Sequence, residues 1–311
     1  MKPQILQLVP VCKKFQEQIN TRFTNHISLN KLPDSPEILK KIEAVITNGV
    51  VGAPSDMLDQ LPNLKLVTVH GVGYDNVDLQ KLKERQIKLS IATNAPTQDV
   101  ADMAIALLLD VSRQITLRDQ YIRKNEWEKG NYPYQGSSIS NKKIGIMGMG
   151  HIGQAIAQRL HAFDNEIAYT ARHQRPGVKW KYIPSLIELA KISDILIIAA
   201  SGGPSSRHAV NREILEALGE RGFVVNIGRG SIIDENALID CLKNKKIAGA
   251  GLDVFEHEPH VPETLRLLKN VIMTPHSAGA TYETSKRIGA KILNSLECFF
   301  KGENLPDEVH F

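Results

Sequence analysis

The sequence predicts an α/β chain of two Rossmann-like domains, one built on a doubly wound parallel sheet and a smaller, flavodoxin-like one ahead of it. Strand-like and helix-like runs alternate along most of the 311 residues, the pattern that builds parallel sheets. That length exceeds the usual size of one core, so two domains of ordinary size are expected. The segment Gly148-Met149-Gly150-His151-Ile152-Gly153 sits where the apolar run Lys143 to Met147 hands over to an amphipathic stretch.

From Lys143 onward six strands are expected: Ile144 to Met147, Ile167 to Thr170, Ile195 to Ala199, Phe223 to Ile227, Ala248 to Leu252 and Val271 to Thr274. Six parallel strands complete a doubly wound dinucleotide-binding sheet. Between them, Ile152, Ile156, Leu160 and Phe163 recur at helical spacing. Ser185 to Lys191, Asn211 to Leu218 and Glu235 to Lys243 also read as helices, the last capped by Asp234.

Ahead of this lies a second alternating set without a glycine motif. Its strands are Ile5 to Val9, Ala44 to Thr47, Leu64 to Val69 and Leu89 to Ala92, with helix-like Pro36 to Ile42 and Leu79 to Arg85. The run Val100 to Ile122 predicts one connecting helix, and Tyr282 to Lys301 a last helix returning to the first domain. The expected domains are therefore residues 1–98 plus 283–311, for substrate, and 99–282, for the dinucleotide. Ligands of such sheets bind at the carboxyl ends of the strands, which predicts a reaction in the cleft between the domains.

The glycine pattern has a physical reason. The first glycine, Gly148, allows a tight turn, Gly150 lets a pyrophosphate approach the backbone, and Gly153 lets helix and strand pack closely. The helix amides and positive dipole end then face the phosphates, with His151 and Ile152 beside them. An NAD site ends its second strand in an acidic residue that holds the ribose hydroxyls. Here the chain reads Tyr169-Thr170-Ala171-Arg172-His173-Gln174-Arg175, with no carboxylate. Arg172 offers a planar fork for a 2′-phosphate, assisted by Arg175 or His173, so NADP is expected over NAD. The competing reading is a solvated basic loop.

Composition narrows the function classes. With 42% hydrophobic and 23% charged residues the chain suits a soluble globular protein. No stretch approaches the roughly 20 apolar residues of a membrane span, and the first ten residues lack the pattern of a signal peptide. A cytoplasmic location is expected. A net charge of +4, with both signs dispersed, implies neither nucleic acid nor an anionic membrane. Cys12, Cys241 and Cys298 are odd in number and far apart, which argues against disulfides or zinc. His257-Glu258-Pro259-His260 resembles a metal motif only superficially, because its spacing is short and Pro259 breaks the required helix. No metal is expected.

Three polar segments end at one predicted edge of the larger sheet. Asn226-Ile227-Gly228-Arg229-Gly230 closes the fourth strand, Gly251 to Pro259 follows the fifth, and Thr274-Pro275-His276-Ser277 follows the sixth. With the glycine turn, the N-x-x-R-G segment, the G-L-D-V-F-E-x-E-P run and the P-H pair in this order, the chain resembles the D-isomer-specific 2-hydroxyacid dehydrogenases over nearly its whole length. Tyr169 to Pro176 resembles the NADPH-binding loop of their glyoxylate/hydroxypyruvate reductase branch.

The resemblance implies a role for each matching residue. Arg229 matches the arginine that binds a 2-keto acid and polarises its carbonyl, Glu258 the acid that pairs with the histidine, and His276 the proton donor. Asp253 matches the residue that holds the nicotinamide carboxamide, and Val72 and Gly73 the amides that face the substrate carboxylate. Physical chemistry supports the trio independently. Hydride arriving at a keto carbon leaves alkoxide charge, which calls for a proton donor near neutral pH and a fixed cation. An imidazole beside a carboxylate supplies the first and a guanidinium the second. Taken singly, each has a plainer reading as surface arginine, solvated acid or loop histidine.

The resemblance also implies a homodimer, with Val100 to Ile122 as a crossing element, and a small anionic 2-keto or 2-hydroxy acid as substrate. The loop Thr47-Asn48-Gly49-Val50-Val51 is small and uncharged, which disfavours phosphorylated substrates. Two alternatives stand: reduction of a larger 2-keto acid, such as an aryl pyruvate or 2-ketogluconate, and a nucleotide-sensing, corepressor-like scaffold. The chain departs from the usual H-x-G-S-A-T pattern at Ala278, which falls where glycine is common.

Overall fold

The computed structural model describes residues 2–311 and divides into two compact units, one running to Pro96 and resuming over Ala280–Phe311, the other Thr97–Gly279. In the first, strands β1 (Gln4–Gln7), β2 (Thr24–Ile27), β3 (Ala44–Thr47), β4 (Leu66–Val69) and β5 (Lys88–Ile91) form one parallel sheet in the order β2-β1-β3-β4-β5. That is the flavodoxin-like order. Strands β3 and β4 are buried at every residue, as strands covered on both faces must be. Strand β2 is different: its sequence, Thr-Asn-His-Ile, is half exposed at the sheet edge and carries no apolar pattern. Main-chain pairing to β1, joined by side-chain bonds from Asn25 to Gln7 and between His26 and Gln4, makes it a strand, so the sequence gives no expectation of it.

The helix Tyr282–Lys301 packs on this first unit. Gly289 lets it approach the Phe15 ring so closely that a β-carbon there would lie 2.7 Å from the ring edge. The buried hydroxyls of Ser295 and Ser90 are hydrogen-bonded at 2.8 Å. The partner helix Lys13–Arg22 buries only Ile19 fully, too faint an apolar stripe for the sequence to declare.

The second unit holds seven parallel strands: β6 (Lys143–Met147), β7 (Glu166–Thr170), β8 (Lys181–Tyr182), β9 (Ile195–Ile198), β10 (Phe223–Asn226), β11 (Gly249–Leu252) and β12 (Val271–Met273). Their order is β12-β11-β10-β9-β6-β7-β8. Counted from β6, this is the dinucleotide-binding order 3-2-1-4-5-6 with one more strand beyond. The expectation of six strands is thereby corrected. Strand β8 has two residues, too few for any periodicity, and is held by the Tyr182 ring against Tyr169 at 5.4 Å.

A second correction concerns Val100 to Ile122. The structure has two helices there, Thr97–Arg113 and Ile115–Arg123, broken at Gln114, which turns left-handed with φ 57° and ψ 42°. The first buries eight residues against the sheet; the second buries none. Asp110 caps the new start, accepting from the Thr116 amide at 2.8 Å and hydroxyl at 2.5 Å. Apolar Ile115, Leu117 and Ile122 continue the rhythm across the break, which hides it from the sequence.

Candidate active site

Strand order reverses between β6 and β9, and there the glycine turn follows β6. Gly148 has φ 97°, and a β-carbon on it would lie 2.7 Å from the Ala200 backbone. One on Gly153 would strike the Gly148 carbonyl, whereas Gly150 has nothing within 4 Å. Tight turn, open approach and close helix packing thus fall on the three glycines in that order. The helix His151–His161 begins at Gly150 without a side-chain cap. Three other helices of the same unit are capped, by Ser185, Asn211 and Asp234. Its first amides are left for an anion, as a pyrophosphate requires. The turn therefore fits a dinucleotide.

After β7, Arg172, His173 and Arg175 are exposed. Their loop is stapled at both ends: the fully buried Tyr169 hydroxyl accepts from the Arg175 amide at 2.9 Å, and the Tyr182 hydroxyl donates to the Ala171 carbonyl at 3.2 Å. The three cationic or titratable side chains are displayed on a fixed backbone.

Three loops bring Arg229, Glu258 and His276 together. Buried Asn226 braces the first, its amide donating to the Arg229 carbonyl at 2.9 Å and its oxygen accepting from the Gly228 amide at 3.0 Å. At Gly230 a β-carbon would overlap the Phe255 backbone, so only glycine lets this turn meet the loop after β11. In that loop Glu258 folds back to accept from the Phe255 amide at 3.0 Å. Its other oxygen, Oε2, lies 2.7 Å from His276 Nδ1.

His276 has φ 49°, a conformation that a side chain adopts at a cost. Its amide donates to the Asp253 and Thr274 carbonyls at 2.8 and 3.0 Å. The Asp253 carboxylate, 1% exposed, accepts from the Thr274 hydroxyl at 2.6 Å and the Ser277 and Ala278 amides at 2.8 and 2.9 Å. The carboxylate thus clasps the histidine loop, a role the sequence alone gave no signal for.

The electrostatics follow from these contacts. The hydrogen bond to Glu258 raises His276 above the ordinary imidazole value, outweighing its burial and the Arg229 charge. Burial pushes Glu258 up, but the bonds from His276 and Phe255 and the His276 and Arg229 charges bring it below the usual carboxylate range. Arg229 bears on both partners, and its Nη1 donates to the Gly228 carbonyl at 2.7 Å. An imidazolium held by a carboxylate beside a guanidinium can donate a proton to a developing alkoxide.

In the first unit, Gly71 takes φ 135° at the end of β4 and begins the Gly71-Val72-Gly73 turn. Among the described residues no acceptor meets the Val72 or Gly73 amide. The turn abuts the loop after β3, where a β-carbon on Gly49 would lie 2.7 Å from the Gly73 carbonyl. His70, just before it, is pushed below the ordinary imidazole value by burial. His257 and His260 are joined through their backbones, and among the described residues no cluster of three or more His, Cys, Asp or Glu is arranged to hold a metal ion. Among the same residues no helix is long and apolar enough to cross a membrane.

Fold and site together define a nicotinamide-dinucleotide oxidoreductase. The family model for the D-isomer specific 2-hydroxyacid dehydrogenase NAD-binding domain matches residues 105–278. The 2-ketogluconate reductase of Gluconobacter oxydans is 41% identical over 308 residues, covering 99% of each chain. Glyoxylate/hydroxypyruvate reductase A of Arabidopsis thaliana is 38% identical, covering 98% of each. The crystal structure of an NADPH-dependent glyoxylate/hydroxypyruvate reductase from Sinorhizobium meliloti, in complex with NADP and malonate, superposes with a TM-score of 0.94 at 34% identity, covering 99% of this chain and 97% of that one. The chain belongs to the D-isomer specific 2-hydroxyacid dehydrogenase family, whose relatives here reduce 2-keto acids.

Proposed function

We propose that this protein reduces a small 2-keto acid of the glyoxylate or hydroxypyruvate type to the D-2-hydroxy acid, using NADPH in preference to NADH. The observation that carries the reading is the 2.7 Å contact between His276 Nδ1 and Glu258 Oε2, with the Arg229 charge bearing on both. Glu258 accepts a hydrogen bond from Nδ1–H of the imidazolium, so the transferable proton is the one on Nε2 of His276. His276 delivers it to the carbonyl oxygen, and Arg229 polarises the carbonyl and binds the acid. The amides of Val72 and Gly73 take the carboxylate.

Gly148, Gly150, Gly153, His151 and Ile152 hold the pyrophosphate, and Arg172, assisted by His173 and Arg175, takes the 2′-phosphate. Bound NADPH supplies the hydride. Asp253 fixes the histidine loop and would hold the carboxamide of a bound nicotinamide. Exposed Ile115 (52%), Ile122 (57%), Trp127 (64%) and Tyr134 (60%) support a homodimer through the helix Ile115–Arg123 and the arm that follows it. We place the enzyme in the cytoplasm, with no nucleic acid or membrane partner.

A second reading has one observation in its favour: the 41% identical relative is a 2-ketogluconate reductase, so a longer polyhydroxy keto acid stands as the alternative substrate. Initial rates of NADPH and NADH oxidation with glyoxylate, hydroxypyruvate, phenylpyruvate and 2-ketogluconate decide between them. The highest kcat/KM for glyoxylate or hydroxypyruvate with NADPH is expected. A clear preference for 2-ketogluconate, or for NADH, overturns the corresponding part.

A further inference from the structure

We propose that Glu256 is a positioning residue whose carboxylate anchors the loop after β9 beside the dinucleotide turn. This rests on the reading that the turn holds a nicotinamide dinucleotide. The loop, residues 201–209, leaves the sheet at Ala200. The Ala200 backbone is wedged between two glycine turns: a β-carbon on Gly148 would lie 2.7 Å from its nitrogen, and one on Gly228 2.5 Å from its carbonyl oxygen. The loop thus starts where the strand order reverses, flanked by the phosphate turn and the turn that carries Arg229.

Internal bonds shape this loop. The Ser206 and Arg207 amides both donate to the Gly203 carbonyl at 3.1 Å, and the Ser206 hydroxyl reaches the Ser201 carbonyl at 3.1 Å. Its attachment comes from further along. Arg207 Nη2 and His208 Nε2 each lie 2.7 Å from Glu256 Oε1, and the His208 amide donates to the Ser231 carbonyl at 2.8 Å. The Glu256 side chain is 8% exposed, against 57% for Arg207 and 37% for His208. A carboxylate that far from water needs partners, so these bonds differ from a surface ion pair. Charge-assisted bonds of this kind are also the stronger ones.

Glu256 is itself held. Its amide donates to Glu235 Oε2 at 3.3 Å, in the first turn of the helix Glu235–Lys243. Burial and the Glu256 charge push the Glu235 carboxyl up, while the bond from the Glu256 amide and the His257 and His260 charges oppose them. Two residues beyond Glu256 the same loop presents Glu258. One carboxylate therefore ties the cofactor-side loop to the segment that holds the catalytic acid. The step from fold to function is pre-organisation: a loop already in place costs less to order when the dinucleotide binds.

The test is a fluorescence titration of NADPH into wild type, Glu256→Gln and Arg207→Ala, with hydrogen exchange of residues 201–208 and initial rates. Glu256→Gln is expected to raise the NADPH Kd about tenfold, to speed exchange in the loop, and to raise the KM for NADPH more than it lowers kcat. Arg207→Ala removes an exposed side chain and spares the fold; it is expected to raise the Kd similarly, and to add little further in the Glu256→Gln background. An unchanged Kd and loop exchange in Arg207→Ala and a foldable Glu256→Gln overturn the proposal, as do fully additive losses. Wild type that binds neither dinucleotide overturns the underlying reading and this one with it.

Discussion

Ala278 donates its backbone N–H to the Asp253 carboxylate at 2.9 Å, at the position where the sequence departs from the usual glycine. Its φ is negative and it is 5% exposed, so the β-carbon is accommodated without backbone strain. The left-handed residue of this loop is His276 instead. Asp253 faces three donors there, and the loop's path depends on that charge.

Replacing Asp253 by Asn turns one acceptor into a donor against an N–H or O–H. The expected cost is about 2 kcal/mol of stability, with a drop in kcat larger than any change in KM for NADPH. Chemical denaturation and steady-state rates check it. Wild-type kcat in a correctly folded variant would dissociate the clasp from the chemistry.

His276→Ala removes the proposed proton donor and is expected to lower kcat by about 10²–10⁴-fold while leaving the NADPH Kd unchanged. Stopped-flow traces and titrations separate the two effects. Turnover within a few-fold of wild type would remove the imidazole from the reaction.

The raised His276 pKa predicts a pH dependence of definite sign. On the proposed reaction, reduction needs the imidazolium, so its kcat/KM should fall as pH rises, with a midpoint above the ordinary value of about 6.5. Oxidation of the hydroxy acid should rise over the same interval. Glu258→Gln replaces the charged acceptor that raises the imidazole by a neutral one, so its midpoint should move to lower pH. The imidazolium's contribution to stability is present below the unfolded value and lost as pH rises through the folded one. An alkaline limb at the same pH in both proteins would contradict the coupling.

Arg172→Ala is expected to raise the KM for NADPH by about tenfold or more and to leave that for NADH nearly unchanged. Equal losses for the two coenzymes would place the arginine away from the 2′-phosphate.

The large parallel sheet was legible because buried strands leave apolar runs: β9 is four consecutive aliphatic residues, all buried. The glycine turn was legible because backbone crowding admits one residue type. Strand β2 and the break at Gln114 were not, since each depends on main-chain bonds or a single dihedral rather than on a side-chain period. Arg229, Glu258 and His276 stood out through their order along strand ends. Asp253 and Glu256 act on loops distant in sequence, and their bonding became visible only with the chain folded.

The staples at Tyr169 and Tyr182 have an evolutionary consequence. Because two phenols rather than the basic side chains hold the segment after β7 in shape, Arg172, His173 and Arg175 can be replaced without reshaping the support beneath them. On the proposed reading, coenzyme preference can therefore change by surface substitutions after β7 alone, while Arg229, Glu258 and His276 stand on loops after other strands of the same sheet.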